Sequence, residues 1–196
     1  RKEIGEKSKH SKDLDLLISQ SKRCGDILKQ ISQKQIVKDK FISAVKLEVL
    51  LVEILKSFIE TSDKEIKLKS NNDKNKIDIK RSPEIIYGLR NFIGNAVKFS
   101  NQQVLVEIES NNENIVISIN DDGPGFPDDV VSLLGEPYIK SKSKKISNKS
   151  GLGLGTFLGK TLLERQGAKL NFSKSKNYSG ALVSISWNVT NLISTS

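Results

Sequence analysis

The 196-residue sequence contains no methionine, one cysteine and one histidine, and only 6% of its residues are aromatic. A single cysteine, Cys24, rules out a disulfide within the chain and fits a reducing cytosol. No apolar run approaches the roughly 18 to 20 residues of a membrane-spanning helix, and Arg1 does not begin a signal peptide. Because an initiator methionine is also missing, we expect the chain to be a piece of a longer protein.

Positive charge is abundant, with a formal net charge of +9 that would suit nucleic acid or an anionic membrane surface. The small share of aromatic residues gives little sign of a base-stacking platform. We therefore expect no nucleic-acid partner, and a strong dependence of binding on salt would contradict this. The lysines are spread along the chain, and their densest group is Lys140, Lys142, Lys144, Lys145 and Lys149.

The N-terminal part carries a heptad pattern typical of a coiled coil or four-helix bundle. An isolated helix of this length is marginal in water, so the pattern predicts a partner helix from a second chain, and hence a homodimer. We divide the chain into a helical dimerisation segment at 1–34, a polar linker at 35–40 and a globular domain at 41–196. The seam positions are Leu14, Leu17, Ser21, Cys24, Leu28 and Ile31.

The globular part alternates helical and strand patterns. Residues 41–60 predict a short strand-like entry followed by an amphipathic helix. Apolar spacing also predicts helices over 83–100 and after Gly155, with Pro83 at a helix start and Gly167 closing the last helix. Alternating patterns predict strands at 65–69, 77–79, 103–109, 114–120, 169–174 and 181–187. This order predicts an α/β fold, a two-layer sandwich of a mixed sheet of about five strands with three helices on one face.

The helix predicted over 83–100 has a polar stripe as well as an apolar one. Asn91, Asn95 and Lys98 lie at i, i+4 and i+7 and can share one ligand. Amide oxygens suit Mg2+, which usually keeps water and phosphate oxygens as its other ligands, and a lysine adds charge for phosphates. An ordinary amphipathic helix with a polar outer face is the alternative explanation.

Two glycine motifs follow that helix. Residues 121–126 read DDGPGF after a predicted strand, and residues 151–155 read GLGLG thirty positions after Asp121. One glycine-rich loop is weak evidence, but this order is far more specific. From about Phe41 to the C-terminus the chain resembles the ATP-binding domain of sensor histidine kinases, within the superfamily that also contains DNA gyrase. The three motifs match the N, G1 and G2 boxes of that family in order and spacing.

The resemblance implies a role for each motif in holding Mg-ATP. Asp121 would accept a hydrogen bond from the adenine amino group, and Gly123 and Gly125 would let the backbone pass close to the base. Asp122 would be more exposed and expendable. Asn95 would bind Mg2+, with Asn91 as a second candidate ligand. The expected phosphate-binding residues at the start of the following helix are Gly151, Leu152, Gly153, Leu154 and Gly155.

Between the motifs, the lysine- and serine-rich stretch 134–150 would form a mobile lid over the triphosphate. Within it, Tyr138 falls where the family carries its F box, and Lys140 would reach the nucleotide. Gly180 and Ala181 stand where the family often has Gly-Thr, so Ala181 would border the base without a hydroxyl contact.

The resemblance also bears on the reaction. Hydrolytic relatives place a glutamate base at the first asparagine-box position, whereas this chain has Asn91, which favours phosphotransfer to histidine over hydrolysis. Segment 1–34 resembles the second helix of the dimerisation hairpin, and His10 lacks the acceptor motif around it. We therefore expect the acceptor histidine outside this chain, and no autophosphorylation by this piece alone. A nucleotide-binding dimerisation module without transfer activity and an ATPase remain alternatives.

Partners and location follow from the same family. The expected partners are a second subunit and the receiver domain of a response regulator, with the chain as the cytoplasmic part of a sensor kinase at the inner membrane. Cys24 is either a small apolar residue of the heptad seam or a reactive thiol favoured by basic neighbours. Residues 23–28 (RCGDIL) and 160–165 (KTLLER) resemble the redox-responding branch, in which such a cysteine is associated with a disulfide between subunits.

Overall fold

A computed structural model describes residues 44–71, 77–127, 131, 133–136, 154–176 and 178–189. All of them belong to a compact unit that spans residues 43–196. The predicted dimerisation segment, with Cys24, and the linker lie outside the described residues. None of the helices in the described ranges is long and apolar enough to cross a membrane.

The described residues form three helices and seven strands. The helices are α1 (Leu47–Ile59), α2 (Pro83–Phe99) and α3 (Leu154–Glu164). The strands are β1 (Ala44–Lys46), β2 (Glu65–Ser70), β3 (Asp78–Lys80), β4 (Gln103–Ser110), β5 (Asn114–Asp121), β6 (Lys169–Lys174) and β7 (Ala181–Asn188).

Five of these strands form one mixed sheet in the order β2-β4-β5-β7-β6. Strand β2 runs parallel to β4, and the other three pairs are antiparallel. The register places Ile117 of β5 between Ile108 of β4 and Ile185 of β7. The predicted mixed five-stranded sheet is confirmed. The strand predicted around Ile79 exists, but β3 pairs with β1 in a separate two-stranded sheet.

The hydrophobic core lies between one face of the large sheet and the helices. Strand side chains alternate, so every second residue faces this core. The opposite face carries serines and asparagines on its central strands. Buried core residues of the strands are Val104, Val106, Ile108, Ile115, Ile117, Ile119, Val183, Ile185 and Trp187, and those of the helices include Leu50, Leu51, Ile54, Leu89, Phe92, Ile93 and Leu163. This is the predicted layer of three helices on one sheet face.

Helix α2 begins and ends where the sequence predicts. The Ser82 hydroxyl accepts hydrogen bonds from the backbone N–H groups of Glu84 and Ile85, and Pro83 occupies the first turn. At the other end, Lys64 Nζ donates to the backbone carbonyl of Ser100 at 2.6 Å. A cation at the C-terminus also complements the helix dipole. These caps fix the ends of the helix that carries the asparagine residues.

Helix α3 packs closely across α2 because glycines stand at the crossing. A β-carbon added at Gly88 would lie 2.4 Å from Leu163 Cγ, and one at Gly159 would lie 3.1 Å from Asn91 Cβ. After α3, Gly167 has a φ of 77°, and its N–H donates to Glu164 O while Ala168 N–H donates to Leu163 O. This hydrogen-bond pattern is a Schellman motif, so the predicted helix end at Gly167 is confirmed.

Candidate functional site

The two asparagines of α2 face the first turn of α3. Asn91 Nδ2 donates to the Tyr87 carbonyl at 2.8 Å, and a β-carbon added at Gly155 would lie 3.4 Å from Asn91 Oδ1. Asn95 Nδ2 donates to Thr156 Oγ1 at 3.3 Å. Because both side-chain nitrogens donate within the protein, the carbonyl oxygens are the atoms that could ligate a cation.

Lys98 lies on the same helix, one turn beyond Asn95. Its side chain is exposed, and Nζ lies 5.4 Å from the centroid of the Phe99 ring. Lys98 is therefore available at the surface for an anion. The amide oxygens of the two asparagines suit Mg2+, and the Lys98 ammonium group suits a phosphate.

Asp121 ends β5 and is only 5% exposed. Its Oδ1 accepts hydrogen bonds from Gly123 N–H at 2.9 Å and from Ala181 N–H at 3.1 Å. Burial raises the pKa of the Asp121 carboxyl above its ordinary value, and these two donors offset the effect only in part. A desolvated carboxylate with one oxygen fixed by the backbone is well suited to bind a ligand N–H group.

Glycines surround this carboxylate for steric reasons that the sequence did not reveal. A β-carbon at Gly123 would lie 2.4 Å from the Phe99 carbonyl oxygen, so Gly123 is required by the end of α2 within the protein itself. Gly125 has a φ of 78°, a left-handed conformation that favours glycine. At Gly180 a β-carbon would lie 2.4 Å from Asp121 Oδ1. Gly180 is thus a site residue to which the sequence analysis gave no role.

Asp122, expected to be expendable, holds a turn together. Its Oδ1 accepts the backbone N–H groups of Asn101 and Gln102 at 2.8 and 3.0 Å. Partial desolvation raises the pKa of Asp122, but the backbone donors of Gln103, Gln102 and Asn101 outweigh it, so the pKa lies below its ordinary value. Asp122 therefore ties the segment after β5 to the turn between α2 and β4.

Several predicted site residues lie outside the described part of the chain. They are Tyr138, Lys140, Gly151, Leu152 and Gly153. Leu154 begins α3, and Gly155 follows in its first turn. Gly135, at the start of the predicted lid, is described and packs against Lys160 of α3. A β-carbon added at Gly135 would lie 2.2 Å from Lys160 Cδ. Because the helix begins at Leu154, the expected start of α3 at the glycine motif is observed. The phosphate contacts of that motif stay predictions.

Thr156 is a second residue that the sequence analysis missed. It follows the GLGLG motif directly and receives the Asn95 amide. A single sequence offers no signal for this contact, because threonine inside a helix is ordinary and the pairing joins residues sixty-one positions apart. The hydrogen bond depends on how α3 crosses α2, which only the packing reveals.

A depression of about 510 Å³ lies elsewhere, beside the start of β2, and contains none of the predicted site residues. Lys64, which caps α2, contributes to its lining. We do not assign it to the nucleotide, since a lining of short polar turns lacks the buried carboxylate and paired amides found near α2. Its lining residues are Asp63, Lys64, Glu65, Asn101, Gln102 and Gln103.

Residues 80–191 match the family model described as histidine kinase-, DNA gyrase B-, and HSP90-like ATPase. The chain belongs to this family. Among curated proteins, the sensor histidine kinase RegB of Cereibacter sphaeroides is 30% identical over 97% of this chain and 45% of that protein. The histidine-protein kinase AfsQ2 of Streptomyces coelicolor is 42% identical over 34% of this chain and 12% of its own length. The chain thus spans less than half of these relatives.

Solved structures of this ATPase family share the fold. The mycobacterial sensor histidine kinase MprB aligns with a TM-score of 0.62 and 19% identity, covering 74% of this chain and 97% of that one. The full-length ShkA structure, in complex with AMPPNP, aligns with a TM-score of 0.62 and 20% identity, covering 79% of this chain and 32% of that one. The mixed sheet with its three helices is therefore the catalytic-domain fold of histidine kinases.

Proposed function

We propose that this chain is the ATP-binding catalytic part of a sensor histidine kinase. It binds Mg-ATP and transfers the γ-phosphate to a histidine on a dimerisation helix, for relay to an aspartate of a response regulator. The observation that carries the proposal is the buried Asp121 carboxylate, which is held through Oδ1 by the backbone N–H groups of Gly123 and Ala181.

Asp121 selects the base. The adenine amino group is a hydrogen-bond donor, whereas guanine presents a carbonyl oxygen at the same edge, which a carboxylate repels. A charged acceptor in a desolvated site makes a strong hydrogen bond, and leaving it unpaired costs free energy. Gly125 and Ala181 border this edge of the base. The AMPPNP in the related ShkA structure supports an adenine nucleotide as the ligand of this fold.

Asn95 and Asn91 supply amide oxygens to the metal, and Lys98 supplies charge to the phosphates. Bound Mg2+ would neutralise charge on the phosphate oxygens during transfer. The backbone at the start of α3, including Leu154 and Gly155, presents N–H groups where the helix dipole favours an anion. In this proposal Gly151, Leu152 and Gly153 extend that anion site, and Tyr138 and Lys140 contact the nucleotide from the lid.

Asn91 favours transfer to histidine over hydrolysis. An amide cannot take a proton from water at neutral pH, and its Nδ2 already donates to the Tyr87 carbonyl. The nucleophile would be an imidazole of a bundle helix. In this proposal the acceptor histidine belongs to a homodimer that forms through the N-terminal segment. The homodimer is part of a sensor kinase whose membrane regions lie outside this chain. Cys24 as a redox-active thiol stays a prediction.

Calorimetric titration tests the nucleotide site. Wild type should bind ATP with Mg2+ and prefer it to GTP, whereas Asn95→Ala should lose the Mg2+-dependent part of the affinity. Asn171→Ala, on the exposed opposite face of β6, is the matched control and should behave as wild type. If Asn95→Ala kept wild-type Mg-ATP affinity, the metal assignment would be wrong. Phosphotransfer to an added histidine-bearing hairpin then separates a kinase from a nucleotide-binding module.

A further inference from the structure

Asn120 and Asp121 are neighbours on β5 whose side chains lie on opposite faces of the sheet. Asp121 shares the core-facing side with Ile119, while Asn120 belongs to the outer, polar face. Asn120 is nevertheless only 7% exposed. Its Oδ1 accepts a hydrogen bond from Ser175 Oγ at 2.9 Å, in the hairpin between β6 and β7, and its Nδ2 donates to Glu107 Oε2 on β4 at 3.4 Å.

Ser175 also organises that hairpin. It is only 2% exposed, and its Oγ accepts the Tyr178 N–H at 3.2 Å while its own N–H donates to the Gly180 carbonyl at 2.8 Å. The hydroxyl therefore uses its donor for β5 and its acceptor for the hairpin backbone. One buried side chain joins the hairpin to the strand that ends in Asp121.

The far end of the same hairpin reaches Asp121 directly. Ala181 N–H donates to Asp121 Oδ1, and a β-carbon at Gly180 would lie 2.2 Å from the Asp121 carbonyl oxygen. Gly180 thus packs directly against Asp121, and Ala181 is the next residue of the chain. A shift of the hairpin would therefore also move the Ala181 N–H relative to the Asp121 carboxylate. The hairpin thus holds β5 from both faces, through Asn120 on one and Asp121 on the other.

We propose that Ser175 and Asn120 are positioning residues for base selection, because their hydrogen bond fixes the hairpin that orients the Asp121 carboxylate. The inference rests on the proposed function. Neither side chain needs to touch the nucleotide. Removing the Ser175 hydroxyl deprives the buried Asn120 Oδ1 and the partly buried Tyr178 N–H of this partner, and the hairpin must move or admit water to satisfy them. The Asp121 carboxylate then keeps the Gly123 N–H but loses the fixed Ala181 N–H, and its preference for adenine weakens.

Nucleotide discrimination tests the selectivity. Inosine triphosphate differs from ATP in carrying a carbonyl oxygen where adenine has its amino group. Ser175→Ala should lower the ratio of ATP to inosine triphosphate affinity by about threefold to tenfold, the range expected for one buried neutral hydrogen bond. The control Ser184→Ala removes a hydroxyl from the same sheet face on β7 and should leave the ratio unchanged.

Amide hydrogen exchange tests the positioning in the nucleotide-free protein. Exchange at the Ala181 N–H should rise in Ser175→Ala and in Asn120→Ala, and stay at the wild-type rate in Ser184→Ala. Asn120→Ala breaks the same bond from the strand side, together with the 3.4 Å hydrogen bond to Glu107 Oε2, and keeps the hydroxyl that accepts Tyr178 N–H. It therefore serves as the second variant if Ser175→Ala fails to fold.

The outcomes separate this inference from the proposed function. A wild-type affinity ratio in both variants, or an unchanged Ala181 exchange rate, would overturn the positioning role. Asp121→Asn is the reference for the function. If that substitution leaves the preference for ATP intact, the base-selecting role of Asp121 is wrong, and so is the effect of the hairpin on base selection. The exchange rates would still show whether Ser175 and Asn120 hold the Ala181 N–H in place.

Discussion

Asp121 stands where a negative charge is costly. Its carboxyl is buried and its pKa is raised by that burial, yet the proposed hydrogen bond from an adenine amino group is strongest to the ionised form. The Gly123 and Ala181 donors offset part of this cost. A desolvation cost of this kind is expected at functional sites, where a group is kept for its chemistry at the expense of stability.

Asp121→Asn should therefore make the nucleotide-free protein more stable at neutral pH. The asparagine Oδ1 can accept the same two N–H groups without a buried charge. With a raised folded-state pKa, wild type loses stability as pH rises from the unfolded value near 3.8 through the folded one. The midpoint difference between variant and wild type should grow from pH 4.5 to pH 7 in thermal denaturation. A less stable variant at pH 7 would contradict this.

Thr156 accepts a hydrogen bond from Asn95, the proposed Mg2+ ligand. Thr156→Val keeps the β-branched shape in α3 but removes the acceptor of the Asn95 amide. The amide is then free to turn its oxygen away from the metal, and Mg-ATP affinity should fall by about twofold to tenfold. Affinity for ATP without Mg2+ should not change, and Thr156→Ser should retain wild-type behaviour. Equal losses with and without Mg2+ in calorimetry would assign Thr156 to the fold alone.

The limits of sequence reasoning show at individual residues. The positions of Asn91 and Asn95 on one helix and of Asp121 at the end of a strand could be predicted from periodicity and motif order, while their roles toward a nucleotide stay predictions. Ser175, Gly180 and Thr156 could not, because their roles depend on contacts between segments far apart in the chain. Gly123 has a second reason to be glycine that the sequence did not show, because its backbone lies against the Phe99 carbonyl; its predicted closeness to the base stays a prediction.

Among the elements, the crossing of α2 and α3 sets the geometry of the site. The glycines at the crossing let the α3 backbone approach Asn91. Helix and strand bounds were predicted to within a few residues, since each has its own periodicity and caps. The pairing of β3 with β1 was not, because two short strands carry no signal for their partner.

Gly88→Ala and Gly94→Ala form a matched pair within α2. Both gain helix propensity, by about 1 kcal/mol. At Gly94 the new methyl would lie 3.4 Å from the Phe58 ring, an ordinary contact, so this variant should be as stable as wild type or more so. At Gly88 it would lie 2.4 Å from the Cγ of buried Leu163, and overpacking should cost about 1 to 3 kcal/mol. Urea denaturation measures both, and equal stabilities would refute the close crossing.

At the scale of the whole molecule, the residues that the structure describes form one hydrophobic core. The described buried hydrophobic residues run from Leu47 to Trp187. A single domain with its own core can fold without neighbouring segments.

Deletion of residues 1–40 should therefore leave the domain folded. Trp187 is the sole tryptophan and is 1% exposed, so its fluorescence reports unfolding of the sheet. We expect the thermal midpoint of this transition to stay within about 2 °C of the full chain, with ATP affinity unchanged. Loss of a cooperative transition would mean that the N-terminal segment is required for folding.

The parallel pairing of β2 with β4 has a consequence for the order of folding. Residues 71–102 separate these two strands, whereas only residues 111–113 separate β4 from β5. Closing the longer loop costs more entropy, so the antiparallel strands should pair first and β2 should join last. Pulse labelling during refolding would then protect β5 before β2. Because β5 is the central strand of the sheet, the strand that ends in Asp121 should pair early during folding and lose its pairing late during unfolding.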